Sequence, residues 1–198
     1  LRRLPTSDYD SVAPELDAAL AGEPDQLVRG RPGFFGMTSG TSGYAKYIPI
    51  NEAYRAEFQS TVQHFLYGIV RDHPRAFAEK VLYLVGPPSI ERSAGGATVG
   101  TISGYNYQNL SPILKRFAAV PWQVFAIRDP NAQSYAIARF AARHSVSFAV
   151  AITTAPLAAV GEAMRDHAET LLRDIHEGTL SMPVGELTRS ERTSLEYA

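Results

Sequence analysis

Phe58, Val62, Phe65, Leu66, Ile69 and Val70 fall on one face of a helix wound at about 3.6 residues per turn. The signals at both ends agree with this reading. Asn51 is a good N-cap, Glu52 stands near the positive helix end, and Pro74 stops the run. A second apolar stripe runs through Leu157, Val160, Met164, Leu171, Leu172 and Ile175, predicting another long helix. Thr154 is its expected cap, Pro156 sits in its first turn, and Gly178 closes it. Asp129 and Asn131 offer caps for a helix through Tyr135, Ala138 and Ala142 to His144. A short helix starts near Ser11 and stops at Gly22, and "YQNLSPILKRFAAVP" predicts a helix broken around Pro112.

Other apolar runs have the length of strands. "KVLYLVG" (Lys80 to Gly86) and "SVSFAVAITT" (Ser145 to Thr154) predict buried strands, the second more strongly. Tyr47 to Ile50 predicts a strand end or tight extension. "RGRPGFFG" (Arg29 to Gly36) is rich in turn residues, and its aromatics are expected in the core. "WQVFAI" is apolar but brief. Pro87 to Asn106 shows no period, and so long a loop in a compact domain is expected to be functional or mobile. Helices alternating with short buried strands predict an α/β fold, with layered helices around a largely parallel sheet. Residues 1–198 are expected to form a single domain or part of one.

Composition narrows the function. At 45% hydrophobic residues the chain has enough apolar surface for a core. A net charge of −1 sets up no overall field to attract nucleic acid or an acidic membrane, so neither is an expected partner. No apolar run approaches spanning length, and no signal peptide is expected from "LRRLPTSDYD". There is no cysteine, which excludes disulfides, zinc–cysteine sites and thiol nucleophiles and fits a reducing, cytosolic compartment. His64, His73, His144, His167 and His176 lack metal-ligand spacing, so no metal site is expected among them. No G-x-S-x-G elbow supports a serine hydrolase. Arg139, Arg143, Arg165 and Arg173 are expected on a solvated face, and Trp122 in the core.

Candidate chemistry is concentrated in "MTSGTSGYAKYIPI", Met37 to Ile50. Gly40 and Gly43 can take positive φ and carry no Cβ, so consecutive N–H groups can turn toward one point and form an anion nest. Thr38, Ser39, Thr41 and Ser42 add hydroxyl donors, and Lys46 adds charge. Lysine is scarce in this chain, at Lys46, Lys80 and Lys115 only, against a majority of arginine. A lysine after a glycine-rich loop is a compact charge on a flexible stem, suited to reaching a phosphate. Composition alone favours a serine–threonine–glycine linker. The apolar flanks "GFFGM" and "YIPI" favour a binding loop instead.

"TSGTSGYAK" resembles the phosphate-binding signature of the adenylate-forming superfamily, a Ser/Thr/Gly run with lysine three places on. A proline often precedes that lysine there; Ala45 takes its place here. The continuation "KYIPI" is similar to the auxin-responsive, Gretchen Hagen type acyl-acid amido synthetases of plants and their bacterial relatives. "LPTSDYDSVAPELDAALAGEPDQLV", "GYNYQNLSPI" and "FAVAITTAPLAAVGEAMRDHAETLLRDIHEGTL" agree in order and character, so the likeness covers nearly the whole chain. The resemblance implies ATP-dependent activation of a carboxylic acid to an acyl-adenylate, with Mg2+, followed by attack of an amine or amino acid. Carried over by position, it implies that Thr38, Ser39, Gly40, Thr41, Ser42, Gly43 and Lys46 hold the nucleotide's phosphates. The superfamily's aromatic-Gly-x-Thr-Glu segment for adenine and magnesium, and its Tyr-Arg-x-Gly-Asp segment for ribose, do not occur in these residues. The chain is therefore expected to be an amino-terminal part of such an enzyme, lacking the carboxy-terminal domain and inactive alone.

Ser103 and Tyr105 are candidates to face the acyl substrate. "SAGGATVG" (Ser93 to Gly100) fits no dinucleotide or Walker pattern and is expected to be a flexible surface loop. Two other readings of the chain stay open: a non-catalytic α/β module that binds phosphate or nucleotide, and an interaction domain whose loop is only a connector.

Overall fold

The computed structural model describes residues 7–38 and 45–181. In chain order its elements are α1 (Ala13–Leu20), β1 (Phe34–Thr38), β2 (Lys46–Ile50), α2 (Glu52–Asp72), β3 (Lys80–Leu84), β4 (Glu91–Arg92), β5 (Thr98–Gly100), α3 (Ile102–Gln108), α4 (Pro112–Lys115), α5 (Pro130–Ala141), β6 (Val146–Ala151), α6 (Ala155–Asp166) and α7 (Ala168–Glu177). Short 3-10 turns cover Asp10–Val12 and Trp122–Ala126, the second being the brief apolar run noted above. The expected α/β class is what the chain adopts. Two compact units result, Leu1–Val62 with Ser89–Ile102, and Gln63–Pro88 with Ser103–Ala198.

In the first unit, strands pair in the order β2-β1-β5-β4. β1 runs antiparallel to β2 and parallel to β5, and β4 runs antiparallel to β5. Pro49 has no N–H to give to a ladder, and it sits on the edge strand, where that costs least. α1 lays Leu16 and Ala19 against Phe35 and Val99, so the aromatic pair of "GFFG" does reach the core, as part of a strand. The stretch from Pro87 to Asn106 is not an irregular loop. It contains β4, the central strand β5 and the start of α3. Three residues are too few to show a period, yet Val99 in β5 is only 1% exposed. "SAGGATVG" likewise is no flexible loop. Its glycine turn is pinned where the Gly95 N–H donates to Leu20 O at 2.7 Å. A Cβ on Gly95 would stand 2.5 Å from Gly22 N, so the two glycine backbones touch.

The second unit pairs β3 with β6 in parallel and surrounds β3 with helices. α5 is its spine. Asp129 caps it by accepting the Ala132 N–H at 2.7 Å, and Tyr135 to Ala141 are buried throughout. Trp122 packs half-buried against this core, as expected. Arg139 departs from expectation, being 4% exposed rather than on a solvated face. Its guanidinium donates to Thr179 O at 3.0 Å and Asp174 O at 3.3 Å, satisfying carbonyls at the end of α7. Asp174 is fully buried and accepts from Tyr135 Oη at 2.7 Å, Thr179 Oγ1 at 2.9 Å and the Ser181 N–H. Burial pushes the Asp174 carboxyl up, but the hydrogen bonds from Tyr135, Ser181 and Thr179 outweigh it and hold the pKa below the ordinary value.

The predicted long helix at the end of the described chain is two helices. His167, at φ −119° and ψ 22°, breaks it between α6 and α7. The break redirects α7, so Val160 and Leu171 are buried while Leu157 and Leu172 are exposed. Thr154 opens α6, but its side chain makes no capping bond. Gly178 ends α7 in the left-handed conformation, as expected. α2 starts as read, with Asn51 Oδ1 accepting the Tyr54 N–H at 3.0 Å. Its stripe is only half-covered, however: Phe65 and Val70 are exposed. Among the described residues no helix is long and apolar enough to cross a membrane.

Two stability predictions follow from these contacts. Gly95→Ala should lower unfolding free energy by about 1–3 kcal/mol in urea titration, because backbone must shift on one side or the other. Asp174→Asn removes a carboxylate whose pKa is lower folded than unfolded. That group's stabilisation is present above the unfolded carboxylate pKa of about 4 and is lost as pH falls through the lower folded value. Melting curves between about pH 6 and 2 should therefore show a shallower acid decline for Asp174→Asn than for the native chain.

Candidate functional site

The register of β1 against β2 governs the loop that the sequence singled out. Phe34 pairs with Ile50, and the ladder continues to Thr38 opposite Lys46. The far end is buried, with Phe34 at 4% and Ile50 at 2% exposure. The near end brings the two flanks of the Ser/Thr/Gly stretch side by side. Ser39, Gly40, Thr41, Ser42 and Gly43 lie outside the described residues; Thr38 and Lys46 are half-buried at the ends of their strands.

Lys46 has a partner that sequence reading missed. Its Nζ lies 5.3 Å from the centroid of the Tyr9 ring, within cation–π range. The same tyrosine accepts the main-chain N–H of Tyr47 on its hydroxyl at 2.9 Å. Tyr47 in turn donates its hydroxyl to Glu91 Oε1 at 3.2 Å, and burial followed by that carboxylate raises its pKa. Nothing in the spacing of Tyr9 marks it, because 37 positions separate it from Lys46 and only the folded sheet joins them. The arrangement sets Thr38 and Lys46 side by side and steadies an ammonium group on the Tyr9 ring. Such a cation can offset the charge of a bound anion.

Ser103 and Tyr105 belong to the second unit. The Ser103 hydroxyl accepts the Gly86 N–H at 3.2 Å. A Cβ on neighbouring Gly104 would stand 2.3 Å from Gly86 O, so α3 packs its first turn directly on the backbone after β3. The same unit has a cavity of about 300 Å3 beyond the carboxyl ends of β3 and β6. Leu84, Phe125, Ile137 and Ile152 make it mainly apolar, and Gln133, Ser134 and Thr153 add polar groups. Gln133 Nε2 is committed to Phe125 O at 3.3 Å and Ile127 O at 2.9 Å. Neither Ser103 nor Tyr105 lines this cavity. Among the described residues no three His, Asp or Glu side chains converge to hold a metal ion.

No curated protein matches the chain. Among solved structures it is similar to a GH3.15 acyl acid amido synthetase, at 19% identity and a TM-score of 0.69. It is also similar to AtGH3.15 acyl acid amido synthetase in complex with 2,4-DB, at 22% identity and a TM-score of 0.69. Each match covers 98% of this chain and 34% of the other, so the chain spans about a third of the length of those proteins. Likeness at such identity establishes the fold. The family assignment comes from the sequence itself, since residues 1–197 match the GH3 family N-terminal domain. The chain therefore belongs to the GH3 family and has the fold of its N-terminal domain.

Proposed function

We propose that this chain supplies the phosphate-holding part of an ATP-dependent acyl-acid amido synthetase. The observation that carries the reading is the pairing of Thr38 with Lys46 across the ends of the Ser/Thr/Gly stretch, in a chain of this family. In the proposed reaction, one oxygen of a small carboxylate attacks the α-phosphorus of ATP. The bond from that phosphorus to the oxygen bridging it to the β-phosphorus breaks. Acyl-adenylate and pyrophosphate result. An amine, such as that of an amino acid, then attacks the acyl carbon, an amide forms and AMP leaves. The 2,4-DB held by one relative, a small carboxylic acid, supports that class of acyl substrate.

Each residue has a role in this scheme. Thr38, Ser39, Gly40, Thr41, Ser42 and Gly43 offer N–H and hydroxyl donors to the β- and γ-phosphates. Lys46 meets the charge that grows on pyrophosphate as it separates. No side chain of this chain is required as a nucleophile. Mg2+ accompanying ATP would offset phosphate charge, and no residue here is assigned to it. Because the relatives are about three times longer, the chain is read as contributing to the activity, with adenine, ribose and much of the acyl pocket held elsewhere. A cytosolic setting, where ATP is plentiful, is part of the same proposal.

The test is acid-dependent exchange of labelled pyrophosphate into ATP, measured on the natural protein that contains this chain across a panel of carboxylic acids. Lys46→Ala should lower kcat/KM for ATP by about 10²- to 10³-fold with the circular dichroism spectrum unchanged. Undiminished exchange in that variant would sink the reading. Absence of ATP and pyrophosphate binding in calorimetry, in native protein and variant alike, would return the loop to a connector.

A further inference from the structure

We infer that Tyr9 is a positioning residue for Lys46, a fixed aromatic platform that steadies the ammonium assigned above to the nucleotide's phosphates. The inference rests on the reading of Lys46 given above and adds a residue to it. Its basis is that one side chain makes two contacts with the strand leaving the loop. The Tyr9 ring lies under Lys46 Nζ, and the Tyr9 hydroxyl holds the N–H of the next residue, Tyr47.

The platform is itself anchored. The Ser11 N–H donates to Asp8 Oδ1 at 2.9 Å and the Ser11 hydroxyl to Asp8 O at 2.7 Å, closing the turn that presents Tyr9. The ring packs half-buried against the core made by Leu16, Ala19, Phe35 and Val99. β2 is the edge of its sheet, so alternate N–H groups along it face away from β1. Tyr9 satisfies the one that follows Lys46. The strand therefore cannot shift along its edge without breaking this bond, and the lysine stem leaves from a fixed point.

A four-carbon side chain samples many rotamers, and ordering it on a ligand costs entropy. An aromatic face that attracts the charge reduces that freedom beforehand. It does so without using N–H donors, because the attraction is to the ring quadrupole. The ring can thus steady Lys46 and leave its hydrogen bonding to the phosphate.

The test uses the natural protein containing this chain, with Tyr9→Phe, Tyr9→Leu, Lys46→Ala and the Tyr9→Leu/Lys46→Ala double variant. Tyr9→Leu should raise KM for ATP by about 3- to 30-fold while KM for the acid holds. Tyr9→Phe keeps the ring and loses only the bond to Tyr47, so its KM for ATP should lie between those of native protein and Tyr9→Leu, with a lower melting temperature. The double variant should be no worse than Lys46→Ala, since the platform acts only through the lysine. Independently of activity, the Lys46 ε-methylene protons should show an upfield ring-current shift by NMR, kept in Tyr9→Phe and gone in Tyr9→Leu. Native KM in Tyr9→Leu, tighter ATP binding there, an additive loss in the double variant, or no ring-current shift in native protein would each overturn the inference. Normal exchange in Lys46→Ala overturns the phosphate-loop reading as well. Normal kinetics in Tyr9→Leu beside a crippled Lys46→Ala overturn this inference alone.

Discussion

The antiparallel pairing of β1 with β2 is the constraint from which the rest of the site hangs. One end of the ladder is sunk in the core at Phe34 and Ile50, and the other delivers Thr38 and Lys46 to the ends of a glycine-containing stretch. Side chains alternate along a strand, and both faces of β1 are packed at Phe34 and Phe35, so a slip of one residue would turn each ring into packing built for the other face. The buried end therefore fixes the register of the exposed end. Closing a short loop rich in glycine costs conformational entropy. Here the flanks are already joined in the folded chain. An anion entering the loop would then have less left to order.

β1 owes its own position to contacts that look minor in the sequence. It lies between β2 and the three-residue β5, whose Val99 meets α1 through Leu16 and Ala19. The turn leading into β5 is fixed by the close approach of Gly95 to Gly22 at the end of α1. The amino-terminal segment thus acts on the sheet at two places: α1 covers its centre, and Tyr9 ties down its edge. This is how a residue far from β2 in sequence reaches it in space.

Long periodic elements were legible in the sequence because their signals are local. Asn51 and Asp129 cap α2 and α5 with their own side chains, and Gly178 ends α7 as its φ requires. What escaped reading depended on partners distant in the chain. β5 is too short to declare itself and becomes a strand only by pairing with β1 and β4. The helix stripe from Leu157 to Ile175 carried no break signal, and the turn at His167 sits where its ring meets Tyr135 edge-on at 5.5 Å. β6 reads as a deeply buried strand, but among the described residues it pairs only with β3, and Val146 stays 40% exposed. For the candidate site, the residue types of the loop were legible and its register was not. The Ser103 hydroxyl holds the backbone at Gly86, a contact that no local pattern announces.

Arg139 and Lys46 show why a cation's task cannot be read from charge alone. Sequence reading places one on the surface and the other in the candidate site. Arg139 is buried because a guanidinium presents several donors in a fixed plane, and two carbonyls near the end of α7 lie where that fork can reach. Such a cation is consumed by structure. Burial and the nearby Arg143 charge work against its protonated form, and the Asp174 charge opposes them. Lys46 is half-buried at the end of an edge strand, and the contact that holds it draws on charge rather than on N–H geometry. In the proposed role, a point charge on a flexible stem, steadied but not locked, would suit an oxyanion whose charge shifts as a bond breaks. An arginine in its place would be larger and directional, and would stack on the Tyr9 ring through its plane. In the proposed role, that difference between the two cations is what gives the scarcity of lysine in this chain a physical meaning at this position.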